Sequence, residues 1–128
     1  MYPGFGGRFR RNAQRSARPV PFLLDNGDTD GACNRAYYAM FDAARAVLMS
    51  ARPEIPAEAV RTHGGLIATF SLQMVKTGKV TLEFGRSLNR VHELRLIADY
   101  KGDPVAAEDA AWALAQADEF VRAMASTL

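Results

Sequence analysis

Arg95 is where the sequence most plainly breaks its own pattern. In "LEFGRSLNRVHELRLIADY", residues 82–100, Phe84, Leu88, Val91 and Ala98 recur with the period of a helix. At 100° per residue Arg95 points about 20° from Phe84, near the middle of that apolar stripe, with His92 and Asp99 a turn before and after it. A guanidinium cannot shed its charge, and burying one without partners is costly. Two arrangements relieve it. One is an intrahelical Arg95–Asp99 pair near the surface, worth roughly a few tenths of a kcal/mol. The other is a cleft shared with the helix that begins "NRAYYAMF", in which Asn34, Arg35 and Tyr38 join Arg95 around a phosphate. The spacing leaves both open.

Stronger enzyme signatures are missing. The chain has no glycine-rich phosphate loop, no nucleophile elbow and no histidine pair spaced to hold zinc on one helix. Its two histidines, His63 and His92, stand alone in the sequence and read as surface or hydrogen-bonded helix residues. The single cysteine, Cys33, can build neither a disulfide framework nor a cysteine metal site within one chain. No metal or cofactor is expected.

The elements that must position Arg95 and its neighbours are helices. The first runs from about Gly31 to Ser50, capped by Asp28 or Asp30 and stopped by "ARPEIP". Its core stripe is Tyr37, Met40, Phe41, Ala44, Val47 and Leu48, which puts Asn34, Tyr38, Asp42 and Arg45 on a neighbouring face. The second starts between Ala57 and Thr62, ends at Thr77–Gly78, and aligns Val60, Ile67, Phe70 and Met74. The third spans about Leu82 to Asp99. The fourth, "AAEDAAWALAQADEFVRAMASTL", aligns Ala110, Leu114, Ala117, Val121, Met124 and Leu128. Trp112 lies on its opposite side, either as a partner contact or as a commonplace exposed aromatic. With no strand-like alternation and no repeat, the fold class is all-α: an up-and-down antiparallel bundle of four to five helices. The expected core is Phe41, Leu48, Ile67, Phe70, Leu88, Val91, Leu114 and Val121. Residues 9–25 are the uncertain element, because Pro19 and Pro21 break any helix running through them.

Charge divides the 128 residues in two. Residues 1–18 hold five arginines and no acid, leaving 11 basic and 14 acidic side chains in the rest. The expected organisation is therefore an arginine-rich, flexible extension over 1–18 and a helical bundle over 19–128. Such an arm can meet phosphate without sequence preference, or can simply be a solvated end. No stretch reaches the length of a membrane span, and the first residues lack the apolar run of a secretory signal. A cytoplasmic location, with no membrane partner, is the expectation.

Taken in order, "GDTDGACNRAYYAMFDAARAVL", "RTHGGLIATF", "MVKTGKV" and "LEFGRSLNRVHELRLIADY" resemble the HEPN family, named for higher eukaryotes and prokaryotes nucleotide-binding, over about Leu24 to Val121. The resemblance implies a four- or five-helix bundle, often a homodimer, frequently paired with a minimal nucleotidyltransferase that neutralises it as a toxin. Nuclease members of that family carry an Arg, a short spacer and a His, usually with a polar residue after the Arg and a Tyr after the His. The matching place here is "RLIADY". Arg95 and Tyr100 fit, whereas Leu96 replaces the polar residue and Asp99 stands about where the His belongs. Arg86 and His92 have five residues between them, but they lie early on the helix and about 120° apart around it.

The reading is thus a nucleotide- or RNA-phosphate-binding protein, one half of a toxin–antitoxin-like pair, with a degenerate nuclease motif. Its expected phosphate ligands are Asn34, Arg35, Tyr38 and Arg95, and any catalysis would fall to Arg95, Asp99 and Tyr100. Two alternatives stand beside it: an active metal-independent RNase toxin, and a purely structural helical domain that binds another protein.

Overall fold

The computed structural model describes residues 27–128. The expectations for an arginine-rich extension and for a helix over residues 9–25 lie outside the described residues. Within them the chain forms four α-helices and no strand: α1 (Thr29–Ala51), a short α2 (His63–Phe70), α3 (Leu82–Lys101) and α4 (Ala107–Thr127). A short 3₁₀ turn (Ala57–Val60) precedes α2, and a π-helical segment (Ser71–Val75) continues it. The elements pack antiparallel, with α1 at the centre against α2, α3 and α4.

Asp28 starts α1 by accepting a 2.8 Å hydrogen bond from the Gly31 N–H, which satisfies one of the donors a helix start leaves open. Asp30 serves elsewhere: its carboxylate accepts from the Val105 N–H at 2.7 Å and ties the α3–α4 connection to the start of α1. At the far end of α3, Gly102 adopts φ +71°, a left-handed turn that stops the helix at little steric cost.

The expected α1 stripe is buried along its whole length, from Tyr37 to Leu48. Phe70, Leu88 and Val91 are core residues as the pattern predicts, while Ile67, Phe84, Leu114 and Val121 are half-buried and pack against that core. The face of α4 needs correction. Its buried residues are Ala110, Ala113, Ala117, Phe120 and Met124, a stripe turned about 40° from the predicted one. The reason is size: Phe120 must fill the space beside Phe70 and Phe84, whose rings both lie 5.9 Å from its own.

Candidate functional site

Three helices bring a tyrosine, two histidines and an arginine together at the face of α1 that α2 and α3 share. Tyr37, on α1, has no exposed surface. Its hydroxyl and His63 Nδ1 are 2.9 Å apart. Burial pushes the phenol's pKa up, against the opposing pull of Arg95, so it keeps its proton. We assign the phenol as donor, which leaves the proton of the neutral imidazole on Nε2. His92, on α3, stacks on the Tyr37 ring at 5.0 Å and 29°, and the two imidazole centroids are 5.6 Å apart, so both rings and the phenol form one three-way cluster. Arg95 follows His92 by three residues on α3. Its guanidinium lies 4.9 Å from the centre of the Tyr37 ring and 5.5 Å from that of Tyr38, a cation–π arrangement that holds it in place without neutralising it.

His63 owes its position to a tight joint. It is the first residue of α2, whose start is capped by the Thr62 hydroxyl, accepting from the Gly65 N–H at 3.0 Å. A Cβ on Gly65 would come within 2.7 Å of both that hydroxyl and the Ala59 carbonyl oxygen, so only glycine lets the 3₁₀ turn close against α2.

Polar capacity here is left over. The Nδ1 of His92, one terminal nitrogen of Arg95 and the Nε of Arg45 are buried without a hydrogen-bond partner. The ion pairs among the described residues are Arg52–Glu54, Arg90–Glu93 and Arg122–Asp118. Arg95 therefore has no carboxylate partner among them, and the Arg95–Asp99 pair is not formed. Both imidazoles are pushed below the ordinary value of 6.5, first by burial and then by the Arg95 charge, so they rest neutral beside a fixed cation. A group that satisfied the two guanidinium nitrogens would be an acceptor, and an anion would also balance their charge, while His92 Nδ1 donates or accepts according to its tautomer.

Of the residues singled out in the sequence, Arg95 and Tyr38 meet at this site. Asn34 is half-buried and Arg35 exposed, and neither makes a side-chain hydrogen bond or ion pair among the described residues. Asp99 is exposed and Tyr100 is 92 % exposed, beyond the cluster and without a bond to Arg95. Arg86 lies on a different groove with Trp112, away from His92. His63 and His92 are the residues the sequence reading misses. A usable signal existed for one of them: His92 and Arg95 are three apart, and so on one face of α3. Nothing local linked His63 to either. Cys33 is buried and its thiol is pushed up to about 11, chiefly by burial, which makes it inert at neutral pH. No group of three His, Cys, Asp or Glu among the described residues is placed to hold a metal ion.

Residues 8–127 match the HEPN domain model. The chain belongs to the HEPN domain family. It is 36 % identical over 92 residues to a UPF0332 protein of Thermotoga maritima, covering 72 % of this chain and 66 % of that one. A Gloeobacter violaceus UPF0332 protein is 30 % identical over 112 residues, 86 % of this chain and 85 % of its own length. A Methanocaldococcus jannaschii relative named "Putative toxin MJ0605" is 30 % identical over 109 residues, 85 % of this chain and 78 % of that protein. No solved structure matches the chain. No helix among the described residues is long and apolar enough to cross a membrane.

Proposed function

We propose that this HEPN protein binds the phosphate of a nucleotide or RNA at the Arg95 cluster, as the toxin-side half of a two-component pair with a minimal nucleotidyltransferase, and acts as a homodimer. The observation that carries the binding reading is Arg95 itself: a guanidinium held between two tyrosine rings, partly desolvated, with one terminal nitrogen lacking an acceptor and no ion-pair partner among the described residues. The name of the Methanocaldococcus relative supports the pairing. The test is Arg95→Ala. Loss of RNA and nucleotide binding with an unchanged melting temperature supports a ligand role. Intact binding with lowered stability removes it.

A second reading, cleavage, is favoured by one further observation, the pair of imidazoles 5.6 Å apart beside the guanidinium. Asp99 is poorly suited to proton transfer at neutral pH, but two histidines can divide the work. A neutral imidazole accepts the proton of a ribose 2′-hydroxyl as its oxygen attacks the adjacent phosphorus. The P–O5′ bond breaks, and the leaving 5′-oxygen takes a proton from the other imidazole in its protonated form, giving a 2′,3′-cyclic phosphate and a 5′-hydroxyl end. Arg95 stabilises the charge that gathers on the phosphorane oxygens. The measurement is RNA degradation by purified protein with a chelator present. His63→Ala and His92→Ala should each abolish it while leaving RNA bound. Cleavage that survives in both variants would return the chemistry to Asp99 and Tyr100.

A further inference from the structure

A second guanidinium stands over another of the rings that His63 touches. Arg45, two helical turns along α1 from Tyr38, lies with its guanidinium 4.8 Å from the centre of the Phe41 ring. Phe41 and Tyr37 are one turn apart with ring centroids 5.9 Å from each other. His63 touches both rings, at 5.3 Å from Tyr37 and 5.0 Å from Phe41. The contacts thus run from Arg95 on Tyr37, through His63 against both rings, to Arg45 on Phe41. The charges of both arginines reach His63.

Arg45 is no better neutralised than Arg95. It makes one long hydrogen bond, 3.3 Å to the Val60 carbonyl oxygen, and its Nε is buried with no acceptor. The nearby acids do not hold it. Asp42, a turn earlier on α1, feels the Arg45 charge, but the two form no ion pair. Glu58 lines the adjoining groove, of about 280 Å³, together with Arg45, Arg61, Val60, Ala57 and Met49, and it pairs with neither arginine. The two cations stand on different rings, Arg95 on Tyr37 and Arg45 on Phe41, whose centroids are 5.9 Å apart, and neither has an ion-pair partner among the described residues.

We propose that Arg45 is a second phosphate anchor, so that the site takes successive phosphates of a single-stranded nucleic acid rather than one nucleoside monophosphate. The strand crosses His63 and His92 between the two anchors, and the Arg45–Arg61 groove receives the phosphate next to the one on Arg95. This inference rests on the Arg95 cluster being a phosphate site, and the experiment separates the two.

The variant is Arg45→Gln, whose amide can still donate to Val60 and which removes only the charge. Binding is measured for a short 2′-O-methylated single-stranded RNA, which cannot be cleaved, and for adenosine monophosphate, across a salt series. The expected result is an approximately tenfold weaker oligonucleotide, a salt slope smaller by about 0.7 for the lost contact, unchanged monophosphate binding, and recovery of the slope in Arg45→Lys. An unchanged oligonucleotide affinity and slope overturns the proposal, as does an equal loss of both ligands, which would place Arg45 behind His63 as a support. If the wild-type protein binds neither probe, the phosphate reading of the whole cluster falls with it. Melting curves show that the variants are folded; should Arg45→Gln fail to fold, Arg61→Ala on the groove rim reads the same loss of slope.

Discussion

Tyr37 and Phe70 are buried to the same depth, 0 % and 1 % exposed, and their surroundings could hardly differ more. Phe70 packs against Phe120 within the hydrophobic core, and its contribution is the area it removes from water. Tyr37 is wrapped by two imidazoles and a guanidinium, with nitrogens on His92 and Arg95 left without partners. One region is closed in its bonding and the other is open. Buried polar groups left unpaired cost stability, so the open region is where the fold is less stable than it could be and where a ligand has something to add.

The contrast is broken most forcefully on the closed side. Phe70→Ala should cost about 3 to 5 kcal/mol in denaturant melts and leave the affinity for RNA, measured under folding conditions, unchanged. A loss under about 1 kcal/mol would mean the aromatic cluster is not a packed core. Next comes Arg95→Ala, which removes charge-assisted bonds worth about 1.5 to 3 kcal/mol to a bound phosphate. Titration calorimetry should show affinity falling on the order of tenfold to a hundredfold while the melting temperature holds. Tyr37→Phe is gentler. It keeps the ring stack and removes only the hydroxyl that holds His63, so stability should fall by about 1 kcal/mol and any cleavage should fall further than binding.

A smaller effect separates the regions by pH. The folded-state values of His63 and His92 both lie below the ordinary 6.5, so as pH falls the unfolded chain takes up these protons first. Their contribution is therefore complete above about 6.5 and is lost as pH drops through it toward the folded-state values. Asp42, with its carboxyl pushed up from 3.8 chiefly by burial, acts in the opposite sense and at lower pH. Thermal melts should lose stability below neutrality in the wild type and less steeply in the His63→Asn, His92→Asn double variant. RNA should bind more tightly over the same range, because a bound phosphate favours the imidazolium forms. Least of all should come from Tyr100→Phe, within about 0.5 kcal/mol as expected of an exposed site. A large loss of activity there would show that the terminal turn of α3 reaches the substrate.

How much of this was legible in the sequence follows from the same contrast. The closed region obeys periodicity, and α1 was readable residue by residue because its stripe carries large side chains. In α4 the alanines give the period without its phase, since small residues lie on either flank of the buried face, and Phe120 decides the phase only through what stands opposite it. Arg95 was visible because it violates a pattern within its own helix. His63 violates nothing. It joins the candidate cluster through Tyr37, 26 positions away, and through His92 on a third helix, relations set by packing that no local spacing encodes. Asp99 drew attention for the complementary reason: it occupies a place in a linear motif, yet its side chain faces solvent.

The joint at the start of α2 gives the site unequal mechanical support. Tyr37, His92 and Arg95 stand inside long helices, away from their first residues, whereas His63 is the first residue of a short helix held by one hydroxyl cap. Terminal turns open at far lower free energy than helix centres. The amides of Gly65 and Leu66, which bond to Thr62, should thus exchange with solvent hydrogen well before that of Phe41. Fraying of that single turn would withdraw one imidazole and leave the Arg95 charge in place, so under the proposed function binding and proton transfer would respond differently to temperature in a protein whose bundle is still folded.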